Sequence, residues 1–101
     1  MVKSRVDLLS KEFMVATQIY ESNLKEEKIY FTKLVELLEG YMTQGTVMKK
    51  LRTLFDWGIV KAEFGETDKA RAGRLLYIAG EESVTIKELY EKYWKDRVKK
   101  K

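Results

Sequence analysis

Apolar residues recur at helical spacing in four segments of the chain, which predicts four helices. The first helix is predicted over residues 4–22, with Ser4 as its N-cap. The second is predicted to start after an N-cap at Thr32 and to end at Gly40. Residues 29–31, between these two helices, are expected to form only a short strand.

The third helix has two strong boundary signals. Thr43 is the expected N-cap, and Gly58 is the expected end, because glycine adopts the left-handed conformation that terminates helices. After Gly58 the apolar period changes to two, so residues 59–64 and 74–78 are predicted strands joined by a charged turn. A capping box over residues 85–88, headed by Thr85, predicts the start of a last helix. The order of elements predicts a single α+β domain over residues 1–101.

Composition narrows the chemistry. The chain has 101 residues and a formal net charge of +4. This charge favours an anionic partner only weakly, because lysine and glutamate are interspersed along much of the chain. It contains no cysteine and no histidine, so thiolate nucleophiles, imidazole bases and the common zinc sites are excluded. We therefore expect that the protein is not an enzyme and that it binds no metal and no cofactor. No apolar run reaches the roughly 20 residues that span a bilayer, so we expect a cytoplasmic protein without a membrane partner.

The third helix separates an apolar face from a basic one. Val47, Leu51 and Leu54 share the core face, and Lys49 and Arg52 lie opposite. Lysine and glutamine can reach base edges, threonine can bind bases or phosphates, and a glycine lets the backbone approach closely. The candidate DNA contacts on this helix are Thr43, Gln44, Gly45, Thr46, Lys49, Lys50, Arg52 and Thr53. An ordinary solvated face explains the same residues without DNA.

The segment "FTKLVELLEGYMTQGTVMKKLRTLFDWGIVKAEF" resembles the core of winged helix-turn-helix transcription regulators of the prokaryotic and archaeal type. The matching positions of that pattern are Leu51, Leu54, Asp56, Gly58, Ile59 and Val60. The resemblance covers about residues 10–80. It implies a three-helix core and a β-hairpin wing, to which the capping box at Thr85 adds a predicted C-terminal helix over residues 85–101. It also implies double-stranded DNA as the partner and favours a homodimer.

The predicted wing ends in the charged turn "ETDKARAGR". Lys69, Arg71 and Arg74 are its candidate DNA contacts, because long cations on a loop suit phosphate or minor-groove contact. An ordinary polar turn is the alternative, since Glu66 and Asp68 reduce the positive potential.

The last helix carries an apolar, aromatic face. Ile86, Leu89, Tyr90 and Tyr93 share it, with Trp94 at its margin. Either this face packs against the first helix, or it forms a dimer interface with a second copy. The aromatic residues could also line a pocket for an effector, although the sequence identifies no such small molecule.

Together these features predict sequence-specific binding of double-stranded DNA by a transcription regulator that acts by occupying an operator. The alternative is a winged-helix module that binds another protein and has no specific DNA site.

Overall fold

A helix that is buried on almost every side forms the centre of the protein. The computed structural model describes residues 9–67 and 72–95. Helix α1 spans Lys11–Leu24, and its N-cap Ser10 accepts a hydrogen bond from the Phe13 N–H at 3.3 Å. The predicted start at Ser4 is therefore wrong, because the chain is not yet helical at residues 9 and 10. Ser4 itself lies outside the described residues.

Two further helices and a tight turn lie against α1. Helix α2 spans Phe31–Leu37 and α3 spans Gln44–Asp56. The turn between them needs Gly40, which has a φ of 93°. α2 begins at Phe31, so the predicted cap Thr32 is already inside the helix. The N-cap residue is Tyr30, which makes no side-chain capping hydrogen bond. No strand forms at residues 29–31.

The structure confirms both predicted ends of α3. Thr43 Oγ1 accepts a hydrogen bond from the Thr46 N–H at 3.3 Å. At the other end Gly58 has a φ of 76°, and its N–H donates to the Phe55 carbonyl at 3.0 Å. The Ile59 N–H donates to the Leu54 carbonyl at 3.0 Å, which completes a Schellman motif.

An antiparallel hairpin follows α3 directly. Strands β1, Val60–Glu66, and β2, Ala72–Ile78, pair in a register that sets Val60 opposite Ile78. The Asn23 side chain fastens α1 to β2. Its Nδ2 donates to the Leu76 carbonyl at 3.2 Å, and its Oδ1 accepts from the Ile78 N–H at 3.1 Å.

The C-terminal helix starts earlier than its capping-box sequence suggests. Helix α4 spans Ser83–Leu89 and continues as a π-helical turn over Tyr90–Trp94. Ser83 Oγ donates to the Gly80 carbonyl at 2.8 Å, and Thr85 is inside the helix. The predicted box at Thr85 is therefore wrong, because the chain is already helical two residues before it.

The predicted α+β architecture is confirmed. Three helices and a two-stranded hairpin surround one core, and α4 with the π-turn packs on α1. No helix among residues 9–67 and 72–95 is long and apolar enough to cross a membrane.

Candidate nucleic-acid interface

Helix α3 turns one face into the core and the opposite face to solvent. Val47 and Leu54 are fully buried, which holds the helix on the body of the protein. The other face is exposed at five of the eight predicted α3 contacts, namely Thr43, Gln44, Gly45, Lys49 and Arg52. Nothing lies within 4 Å of the position that a side chain would occupy at Gly45. A ligand can therefore reach the backbone of the first turn.

The threonines at the edges of this face are engaged with the helix itself. Thr43 Oγ1 donates to Thr46 Oγ1 at 3.1 Å and also caps the helix. Thr53 Oγ1 donates to the Lys49 carbonyl at 3.1 Å. With the protons of Thr43 and Thr53 so used, Gln44, Lys49 and Arg52 remain as the exposed side-chain donors of α3.

Lys50 does not belong to the exposed basic face. Its Nζ lies 3.4 Å from Glu12 Oε2, in the first turn of α1. The pKa of the Glu12 carboxyl lies below its ordinary value, chiefly because the carboxylate accepts a hydrogen bond from the Glu12 backbone. The neighbouring Lys50 lowers this pKa further, whereas burial raises it. The ammonium group of Lys50 is therefore engaged with α1, and its predicted contact with DNA stays a prediction. Its position on the helix is about 60° from Val47, which directs it toward α1.

The wing is only partly described. The predicted contacts Lys69 and Arg71 lie outside the described residues. Arg74 is exposed on β2, and its guanidinium carbon lies 5.7 Å from the centre of the Phe64 ring on the paired strand. Phe64 is 80% exposed. The sequence pattern does not single out Phe64, because strand alternation places it on the same face as the buried Leu76, and only the structure shows that this end of the hairpin extends beyond the core.

The predicted dimer face is largely used inside the monomer. Ile86, Tyr90 and Trp94 are 1%, 8% and 0% exposed, and they belong to the chain's own core. Leu89 and Tyr93 are half-buried against that core. Ile86, Tyr90 and Trp94 are therefore corrected to core residues, because side chains that are already buried within one chain offer no surface to a second copy.

Met48 and Trp57 are large exposed apolar side chains that the sequence pattern does not single out. Met48 is 48% exposed although the helical wheel places it at the edge of the core face. Trp57, at the C-terminal end of α3, is 55% exposed and packs its ring 6.4 Å from that of Phe13. Large exposed apolar side chains are common where proteins contact partners.

Three solved structures resemble this arrangement. AF1382 from Archaeoglobus fulgidus aligns with a TM-score of 0.66 and 13% identity, over 87% of this chain and 91% of that one. The circadian clock associated protein Pex from Anabaena aligns with a TM-score of 0.63 and 16% identity, over 86% and 79% of the two chains. Pex from Synechococcus gives a TM-score of 0.57 and 23% identity, over 87% and 85%.

The chain has a winged-helix-type fold. The three alignments support that fold over most of the chain, and at these identities they show the fold alone. No protein-family model matches the sequence, and no curated protein does.

Proposed function

We propose that this protein binds double-stranded DNA sequence-specifically and regulates transcription by occupying an operator. In this proposal α3 lies in the major groove, where Gln44, Lys49 and Arg52 contact base edges and phosphates. The N–H groups of the first turn, beside Gly45, bind a phosphate. The wing contacts the adjacent backbone through Arg74, and through Lys69 and Arg71 as the sequence predicts.

One observation carries the proposal. Lys49 and Arg52 project from a helix whose opposite face is anchored in the core, and they are exposed together with the open backbone at Gly45. A rigid helix that presents cations and an accessible N-terminus is what docking into a groove requires. Two of the structural neighbours are Pex, of which one is described as circadian clock associated, and a regulatory role for this chain agrees with that association.

The direct test starts by selecting bound duplexes from a random pool at a stated salt concentration. The affinity of the selected duplex is then measured for the wild type and for the double variant Lys49→Ala/Arg52→Ala. Each lost phosphate contact should make the negative slope of log K against log salt less steep by about one, and the loss of affinity should be largest at low salt.

Lys50→Ala is the matched control. It removes the same charge at the next residue, but the side chain that is lost faces Glu12. It should change the affinity far less than Lys49→Ala does. If the pool yields no preferred duplex, sequence-specific binding is refuted.

The second candidate is a winged-helix module that binds a protein and has no specific DNA site. The 80% exposure of Phe64 and the 55% exposure of Trp57 favour it, since exposed aromatic side chains are typical of protein interfaces. Trp57→Ser and Phe64→Ser separate the two functions. They should abolish capture of a protein partner if this candidate holds, and Trp57→Ser should leave duplex affinity unchanged if the first one does.

Homodimerisation remains part of the proposal, because two copies would read two half-sites about one helical turn of DNA apart. Its interface has to use surface outside Ile86, Tyr90 and Trp94. We further propose that the protein acts in the cytoplasm, without catalysis, cofactor or metal. Sedimentation equilibrium with and without the selected duplex tests the dimer.

A further inference from the structure

The π-helical turn determines which aromatic side chain enters the core. On a regular helix with Ile86 at 0°, Tyr93 would lie near 340° and Trp94 near 80°, at about 100° per residue. Instead the Lys95 N–H donates to the Tyr90 carbonyl at 2.7 Å, five residues back. The widened turn holds one extra residue, which returns Trp94 to the centre of the face. Trp94 is accordingly 0% exposed, whereas Tyr93 is only half-buried.

Trp94 reaches the turn that precedes the DNA-facing helix. Its ring centre lies 5.1 Å from that of Tyr41, at an interplanar angle of 47°. Tyr41 belongs to the turn between α2 and α3, two residues before the cap Thr43. The backbone there is tightly held, because the N–H groups of Tyr41 and Met42 both donate to the Leu38 carbonyl, at 2.9 and 3.2 Å.

The part of the C-terminal helix that precedes Trp94 packs on α1. The Tyr90 ring lies 5.4 Å from the ring of Tyr20, so the segment is anchored one turn before Trp94. Trp94 therefore connects the body of the protein to the residues that set where α3 begins.

We propose that Trp94 is a positioning residue for DNA recognition: by packing on Tyr41 it fixes the turn that orients the N-terminus of α3. This inference rests on the proposed function. It adds that the C-terminal helix controls affinity for the duplex without touching it, so that changes in this helix are transmitted to the DNA-facing residues.

The test compares Trp94→Phe with Ile29→Val, a second substitution of a buried side chain at the opposite end of α2, beside β2. Urea denaturation measures the free energy of unfolding of both variants. If Ile29→Val destabilises the fold less than Trp94→Phe does, Ile29→Ala takes its place as the control. Affinity is measured for the duplex that the wild type selects, at a temperature where all proteins are folded by circular dichroism. Trp94→Phe should weaken binding roughly three- to thirtyfold more than the control does. Tyr41→Leu, on the other side of the contact, should reproduce the loss.

Amide hydrogen exchange gives a readout that does not depend on DNA. The Val47 N–H donates to the Thr43 carbonyl at 2.9 Å, and the Ile78 N–H donates to Asn23 Oδ1 at 3.1 Å. Trp94→Phe should raise exchange at Val47 relative to Ile78, whereas Ile29→Val should not. Equal duplex affinities for the two variants, or no rise in the ratio of exchange at Val47 to exchange at Ile78 in Trp94→Phe, would overturn the proposal. Failure of the wild type to select any duplex refutes the proposed function instead, and exchange at Val47 then decides whether Trp94 orders the turn.

Discussion

Gly45 provides the sharpest test of a DNA-facing α3, because stability and binding should change in opposite directions. It is the second residue of α3, its backbone is not in the left-handed region, and a methyl group there would meet nothing within 4 Å. Gly45→Ala therefore adds a side chain without strain in the free protein. It should stabilise the fold by reducing the conformational entropy of the unfolded chain and by improving helix propensity.

The expected gain follows from the position in the helix. An interior Gly→Ala change is worth about 0.5 to 1 kcal/mol, and we expect the lower value in the first turn, where few backbone hydrogen bonds are formed. For a domain of this size about 0.5 kcal/mol corresponds to a rise in Tm of roughly 2–4 °C. Thermal unfolding followed by circular dichroism measures it.

Binding should become weaker in the same variant. If a phosphate approaches the first-turn N–H groups, a methyl group at residue 45 holds it away. The loss of one charge-assisted hydrogen bond of about 1.5 kcal/mol corresponds to about a tenfold lower affinity. Gly80→Ala is the matched control, because it adds a methyl group at another exposed glycine with open space around it, remote in sequence from α3. A Gly45→Ala variant that gains stability and binds the selected duplex as tightly as the wild type would refute close approach of DNA at this turn.

Three further predictions concern the elements that hold α3 in place. Gly58→Ala should destabilise the fold by roughly 1 kcal/mol in urea denaturation, because residue 58 has a φ of 76° and no contact within 4 Å offsets the strain. Thr43→Ala should cost about 1 kcal/mol in the same assay, since it removes the cap on the Thr46 N–H. The pKa of Glu12 is lower in the folded protein than its ordinary value of 4.5, so its contribution to stability is present above about pH 4.5 and is lost as the pH falls through the folded pKa. Glu12→Gln should therefore flatten the loss of stability below pH 4.5, and an unchanged pH profile would contradict the role of the Glu12 carboxylate.

Sequence signals predict an element's boundaries correctly where neighbouring residues alone form those boundaries. Thr43 and Gly58 end α3 through hydrogen bonds to residues only a few positions away. The change of period after Gly58 predicts the hairpin because alternation reflects which face of the strand is buried. These features need no knowledge of the remainder of the chain.

Sequence patterns give a wrong helix start or a wrong buried face where two patterns compete or where the outcome depends on packing. Ser4 has the residue type of an N-cap, but the structure uses Ser10, and residue type alone does not distinguish the two serines. Thr85 heads a capping-box pattern, but the turn at residues 80–83 starts the helix earlier. The burial of Trp94 depends on one extra residue in a turn, which a helical wheel of constant pitch does not represent.

The charge of α3 shows why a basic helix in a sequence overstates a basic face in a structure. By charge alone Lys49, Lys50 and Arg52 are equivalent cations, yet the ammonium group of Lys50 lies 3.4 Å from Glu12, and Lys49 and Arg52 are exposed on the other face. Lys49 and Lys50 are adjacent, so at moderate salt they contribute almost equally to the long-range field that attracts a duplex. A larger loss of affinity in Lys49→Ala than in Lys50→Ala must therefore arise from direct contact. If the two substitutions lower affinity equally, the duplex responds to the diffuse charge of the protein, and α3 does not dock in a groove.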